Sequence, residues 1–401
     1  MLKLVLKYGA GEGLAKGCNI LLLLLLPLLL TIENYSKVVL ILALEQILCS
    51  AILFSQNTVF TRWYQKAKNK LKPQIEWYCN QNIIFSASVV LFLLLSINLV
   101  FGSFRITIQE QLIILMASFF FSLNELTFNK LRLEEKHKSY IQSKLVNNFL
   151  KLTLCLVFVF LEYSYLSYLY AFFIANAFTL IITFKSKKII FSEKNRKTNK
   201  NFRNMIMLFS LPLGIQSIIN ISYTFVDRLF IEKYLGADEL ALYGNSFTIS
   251  SLIVFFINIY SIVFVPKYYK KSIGGINDKY INLFTYYSFL TLLVYCVFVF
   301  FSYDKFISFY NSFYKTGKYL TLLLCFSYFF HIIYLRFLYI SNFIGFIKYL
   351  PIYSFLSLLL NSYFNYLLIP YYGVYGAAFS TIISEAILGT FLLYNYRKGK
   401  C

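Results

Sequence analysis

Apolar runs of about 18 residues or more recur from one end of the chain to the other, each the length a helix needs to cross roughly 30 Å of hydrocarbon. They predict twelve spans, near residues 4–30, 38–60, 82–101, 107–128, 146–162, 164–184, 205–231, 241–265, 281–301, 319–340, 348–369 and 375–396. Helices suit lipid because their backbone groups satisfy one another where water is excluded. The alternating ten-residue segments of a membrane barrel do not occur. The fold class expected is all-α, a polytopic membrane protein of twelve transmembrane helices. A polar, lysine-rich linker at 185–204 would divide it into six-helix bundles at 1–184 and 205–401. Six is even, so both bundles would enter the membrane the same way, related by a pseudo-two-fold axis along the membrane normal.

A mean hydropathy of +0.65 over 401 residues excludes a water-soluble domain of ordinary composition. The formal net charge of +21 would suit a nucleic-acid binder, so the position of each charge decides its meaning. Counting Lys7, Lys16 and Lys348 with the segments next to their spans, 29 of the 38 Lys and Arg residues fall to every second segment, 6 to the others, and Lys151, Arg228 and Arg336 stay inside spans. Basic residues are retained on the cytoplasmic face during insertion, so this alternation is an orientation signal. It predicts cytoplasmic termini and no nucleic-acid partner. The first span follows Lys3 and Lys7, exceeds a signal h-region and lacks a small-residue cleavage site, so it is expected to stay attached. Seven cysteines without a CxxC pair, most in apolar runs, are expected to be reduced and structural. Cys401, as the last residue, lacks the three that prenylation needs after it.

Polar side chains inside spans identify the faces turned from lipid, because burying them unpaired costs several kcal/mol. In the seventh span Gln216, Asn220, Tyr223 and Asp227 lie within about 40° of one another at 100° per residue, flanked by Ser217, Thr224 and Arg228. The first span carries Glu12, Lys16 and Asn19 on one stripe, and Glu12 is placed to pair with Lys16 at i, i+4. The eleventh offers Ser354, Ser357, Asn361 and Asn365, and the second Glu45 and Gln56. Glu125, Lys151, His331, Arg336 and Glu385 are isolated ionisable groups; His331 reads as a packed core histidine. Gly9, Gly11, Gly13, Gly17 and Pro27 in the first span, and Pro212 and Gly214 in the seventh, predict broken helices at corresponding places, a pointer to a transport path. No phosphate loop, HExxH pair or nucleophile elbow occurs, and no long outer loop offers an acceptor site, so no enzyme and no cofactor are expected.

Four segments carry a family resemblance: KYGAGEGLAKGCNILLLLLLPLLL, TVFTRWYQK, DRLFIEKYLGADELALYGNSF and NSYFNYLLIPYYGVYGAAFSTIISE. They resemble the Wzx-type oligosaccharide flippases, in the polysaccharide transport branch of the multidrug and oligosaccharidyl-lipid exporter superfamily. The family motifs map onto Arg62, Asp227, Arg228, Tyr243, Asn361, Asn365, Pro370, Gly373, Gly376 and Ala377. The turn Ile32–Glu33–Asn34–Tyr35–Ser36 departs from the family's Pro-Glu-Glu-Tyr-Gly-like form and keeps only the tyrosine.

The resemblance implies a MATE-like pair of bundles around a cavity open alternately to each side of the bacterial inner membrane. Its substrate would be an undecaprenyl-diphosphate-linked oligosaccharide for O-antigen or capsule, its other partners membrane lipid, a polysaccharide polymerase and a chain-length regulator. Lys16, Arg62, Arg228 and Arg336 would meet the diphosphate, and Gln216, Asn220, Asp227 and Asn361 would complete the substrate site. H+ or Na+ coupling would fall to Glu45, Glu125, Asp227 or Glu385. A multidrug exporter of the same superfamily and a membrane polysaccharide polymerase are the competing readings. A major facilitator sugar porter would need a GxxxDRxGRR loop where this chain has RWYQKAKNKLKPQ.

Overall fold

A computed structural model describes residues 2–66, 71–101, 105–184, 200–271, 278–344 and 350–398, and the described residues are helical throughout apart from short turns. The helices are α1 (Leu2–Leu29), α2 (Ile32–Leu53), α3 (Gln56–Lys66), α4 (Lys72–Phe101), α5 (Ile108–Leu133), α6 (His137–Phe160) and α7 (Leu166–Phe184). They continue with α8 (Lys200–Leu235), α9 (Ala237–Ser251), α10 (Ile253–Lys271), α11 (Lys279–Ile307), α12 (Lys318–Ile344), α13 (Leu350–Tyr372) and α14 (Val374–Lys398). A 3-10 turn, Ser312–Gly317, precedes α12.

Among the described residues ten helices are long and apolar enough to cross a membrane, with α2 running into α3 and α9 into α10 as single spans. α1, whose described apolar part is Gly13–Leu29, and α8 occupy the other two expected places. Apolar side chains lie outward, with Phe92, Leu99, Phe160 and Phe301 among the most exposed. Asn124, Asn147, Asn176 and Asn365 are buried. That inversion is what lipid as solvent requires, since an exposed polar group there has no water to bond.

Local chemistry sets the ends. Thr107 and Glu110 form a reciprocal capping box at the start of α5. Gly373, at φ +60°, ends α13 in the left-handed conformation, its N–H bonded to the Ile369 carbonyl. Gly376 then lets the start of α14 approach the Leu368 carbonyl, which a Cβ would overlap. Two glycines of the NSYFNYLLIPYYGVYGAAFSTIISE segment thus have backbone reasons.

The expected breaks in the first and seventh spans are not found. α1 contains Pro27 and α8 contains Pro212 within continuous helix. A proline inside a membrane helix frees one carbonyl and is tolerated when neighbours re-satisfy it. The break falls in the second span, where Phe54 and Ser55 have positive φ. Ser55 Oγ donates to the Leu213 carbonyl of α8 at 2.8 Å, and Ser50 Oγ lies 2.9 Å from Ser217 Oγ. Gly214 makes room for the Phe54 ring, which a Cβ there would meet at 2.6 Å. The glycine of the seventh span serves a bend in the second. α9 and α10 are likewise separated at Leu252.

The helices pack into two compact units, Met1–Ile221 and Ser222–Cys401, so that the first part of α8 groups with α1–α7. The linker residues 185–199 lie outside the described residues. In unit 1, α6 packs on α7 and α1, and α5 on α7 and α2. In unit 2, α14 packs on α12 and α13, and α10 on α11.

Candidate functional site

Unit 2 carries a polar cluster where α8 meets α9. The Asp227 carboxylate accepts the Arg228 backbone N–H at 2.8 Å and a short hydrogen bond from the Tyr243 hydroxyl. The Arg228 guanidinium lies over the Phe225 and Phe247 rings, 4.2 and 4.5 Å from their centroids. Tyr243 and Phe247 are i, i+4 on α9, so one helix face holds both adjacent charges of α8. Asp227 and Arg228 are 3% and 5% exposed.

A second part of unit 2 is a chain of small polar groups between α13 and α14. Ser380 Oγ donates to Asn365 Oδ1 at 2.5 Å, Asn365 Nδ2 to Asn361 Oδ1 at 3.0 Å, and Asn361 Nδ2 to Ser384 Oγ at 3.2 Å. Tyr223 of α8 reaches the same Ser384 hydroxyl at 2.9 Å. One residue on, Glu385 faces His331 of α12 with 3.1 Å between Oε1 and Nδ1. His331, expected as a packed core histidine, has this carboxylate as a partner.

Unit 1 has its own buried cluster. Tyr168 of α7 donates to Glu45 of α2 at 2.6 Å and accepts from Lys151 of α6 at 2.7 Å. Lys151 Nζ lies 3.8 Å from the Glu45 carboxylate and over the Tyr168 and Phe172 rings.

Arg62 and Glu125 fall together on a different feature of unit 1, a cavity of about 450 Å³ lined by three helix faces. Asn57, Thr58, Thr61 and Arg62 come from α3, Glu125, Phe128, Asn129 and Arg132 from α5, and Tyr140 and Lys144 from α6. Positions 125, 128, 129 and 132 follow the spacing of one α-helical face, and 140 and 144 that of another. The spacing was readable, but Arg132 and Lys144 sit at span ends and serve there as orientation charges.

The remaining expected residues are scattered. Lys16 is exposed on α1, and the side chain of Glu12, its expected partner, lies outside the described residues. Gln216 and Asn220 are half-buried in the part of α8 that belongs to unit 1, while Tyr223, Asp227 and Arg228 belong to unit 2. Arg336 donates to Asn282 Oδ1 at 2.6 Å and Thr285 Oγ1 at 3.5 Å, joining α12 to α11. Among the described residues no cluster of three or more His, Cys, Asp or Glu could hold a metal ion, and the described cysteines are all free.

The backbone closely follows a multidrug resistance MATE family transporter of the MOP superfamily solved in an inward-facing conformation. The TM-score is 0.78 at 12% identity, covering 96% of this chain and 94% of that one. The fold is that of the MATE transporters. An outward-facing structure of such a transporter matches with a TM-score of 0.65 at 13% identity, covering 99% and 95% of the two chains. A MOP superfamily transporter from Pyrococcus furiosus Vc1 (DSM3638) matches with 0.67 at 13% identity, covering 100% and 95%. Residues 81–270 match the family of polysaccharide biosynthesis proteins, in agreement with the resemblance read from the sequence. None of the curated proteins matches the chain. The protein is thus a multi-pass membrane protein with a transporter fold and a polysaccharide-biosynthesis family match.

Proposed function

We propose that the chain is a flippase of the bacterial inner membrane, both termini cytoplasmic, that moves an undecaprenyl-diphosphate-linked oligosaccharide across the bilayer by alternating access. The observation that carries this reading is the polysaccharide-biosynthesis match over residues 81–270 on a MATE-fold chain. A transporter makes and breaks no covalent bond, so its substrate contacts are charge and hydrogen bonding. Arg228, with aromatic faces beneath it, suits a diphosphate, and the amides and hydroxyls at Asn361, Asn365 and Ser384 suit sugars. Lys16, Arg62, Gln216, Asn220 and Arg336 are proposed contacts of the same substrate. Of the carboxylates proposed for H+ or Na+ coupling, Glu385 beside His331 has the chemistry of a proton-exchanging pair, whereas Glu45 already has an ammonium against it. A polymerase and a chain-length regulator would use the exported unit.

The test is complementation of a strain lacking its own flippase. The chain should restore surface polymer, and Arg228→Ala should reach the membrane yet leave single repeat units on the cytoplasmic face. Full polymer with Arg228→Ala would remove that residue from the mechanism. The multidrug resistance MATE transporters among the similar structures favour a second reading, a drug exporter. Drug resistance without polymer would establish it, and single units displayed outside in a null strain would indicate a polymerase.

A further inference from the structure

The cavity between α3, α5 and α6 lies within unit 1, needs nothing from unit 2, and combines three cations, Arg62, Arg132 and Lys144, with one carboxylate, Glu125. Its floor is rigid. Asn129 Nδ2 donates to the Asn57 carbonyl and to Thr61 Oγ1, both at 2.9 Å, and Thr61 Oγ1 donates to the Asn57 carbonyl at 2.8 Å. Asn129 Oδ1 accepts Arg132 Nη2 at 2.8 Å, which fixes that guanidinium against the wall of the cavity. Lys144 Nζ is held 3.3 Å from the Tyr140 hydroxyl, and Tyr140 is itself set edge-on against Phe128. Two cations of different helices thus have neutral groups among their partners, which orient them.

Ion pairs flank the cavity. Lys130, two residues before Arg132, is buried against Glu76 at 2.8 Å, and Lys136 lies 2.7 Å from Glu134. The lining of the cavity itself carries three cations to one carboxylate. A volume of about 450 Å³ lies within the roughly 300–1,000 Å³ of small-molecule sites and exceeds the needs of a bare inorganic ion. Basic pockets between membrane helices at the cytoplasmic end, where the Lys and Arg pattern puts the α5–α6 turn, have the charge and depth to hold lipid headgroups.

We propose that the α3–α5–α6 cavity is a binding site for the phosphate headgroup of an anionic lipid, with Arg132, Lys144 and Arg62 as the anion contacts. Phosphate is the shared chemistry of two sources, a glycerophospholipid and a polyprenyl diphosphate, and the site does not depend on the transport reading.

The experiment is native mass spectrometry of the full chain in nanodiscs and detergent, titrated with phosphatidylglycerol, phosphatidylcholine, undecaprenyl diphosphate and inorganic pyrophosphate. At least one anionic lipid should bind more tightly than phosphatidylcholine, and Arg132→Gln and Lys144→Gln should each weaken it about fivefold. Raised salt should weaken it further, since two of the three cations, Arg62 and Arg132, are exposed. Preference for undecaprenyl diphosphate, with competition by pyrophosphate, assigns the site to the diphosphate; equal or better binding of phosphatidylglycerol assigns it to bulk lipid. Equal binding of phosphatidylcholine, or unchanged binding in an Arg132→Gln, Lys144→Gln double variant that elutes as folded protein, overturns the proposal. Loss of anionic-lipid binding with polymer export intact leaves the site standing and separates it from the transport reading.

Discussion

The two units each bury a carboxylate, a tyrosine and a cation, and build them in opposite ways. In unit 1, Glu45, Lys151 and Tyr168 come from three helices, α2, α6 and α7, and close on one another. In unit 2, Asp227 and Arg228 are neighbours on α8, and α9 supplies Tyr243 to one and the Phe247 ring to the other. The first arrangement is a brace in which the charges satisfy each other. The second holds its charges side by side, with the guanidinium over two ring faces. A brace serves stability; a cation resting on aromatic rings can exchange partners when an anion arrives.

The largest expected effect tests the brace. Lys151→Met leaves Glu45 buried without its ammonium, and breaking a buried pair by removing one partner costs about 3–5 kcal/mol. The variant should lose most of its monodisperse peak in fluorescence-detected size-exclusion after mild heating, and adding Glu45→Gln should recover much of it. Wild-type stability of Lys151→Met alone would sink the brace.

Next comes the carboxylate of unit 2. A hydrogen bond to a charged group contributes about 1.5–3 kcal/mol, so Tyr243→Phe and Asp227→Asn should couple by about that much in a double-mutant cycle of melting temperatures. Additive effects would show that the hydroxyl does not hold Asp227. Arg228→Met should be milder, about 1–2 kcal/mol, because Asp227 keeps the Tyr243 hydroxyl and a backbone N–H. A loss as large as that of Lys151→Met would make the two clusters equivalent and erase the contrast.

How far the sequence reveals this differs by feature. Lipid rewards long apolar runs, so the ten spans found among the described residues are visible in the sequence, and the 29 basic residues on alternate segments form the pattern that alternating sides would leave. The polar stripes of α8 and α13 are visible because i, i+4 spacing survives in any bundle. Partners are not: nothing local joins Glu45 to Lys151, and Tyr168 is one of 35 tyrosines. The bend at Phe54–Ser55 contains neither Gly nor Pro, because its cause lies 158 residues away at the Leu213 carbonyl. Arg132 and Lys144 are counted as loop charges until three helix faces enclose them with Arg62 and Glu125.

The smallest effect extends the contrast to the ends of the units. In unit 2, Arg336 is held by Asn282 and Thr285, neutral partners that do not titrate near neutrality. In unit 1, Glu134 just beyond α5 accepts the Tyr64 hydroxyl at 2.6 Å and the Lys136 ammonium at 2.7 Å. Partial burial alone would raise the Glu134 carboxyl; the hydrogen bonds from Lys136 and Tyr64, with Lys130 nearby, outweigh it and leave the group below its ordinary value. A carboxyl lowered on folding binds fewer protons in the folded than in the unfolded state, so its stabilisation is full above the ordinary carboxylate range. It is lost as pH falls through the folded value. Glu134→Gln should therefore lower the neutral plateau of a melting temperature versus pH profile slightly and shallow its acid limb, converging with the wild type at low pH, and Asn282→Ala should leave the limb's slope alone. The screening expected of a solvent-accessible pair keeps this effect to a degree or two of melting temperature, roughly the scale of a surface ion pair. An acid limb unaltered by Glu134→Gln would place the acid sensitivity of unit 1 on a different carboxylate, with the buried Glu76 against Lys130 the next to replace.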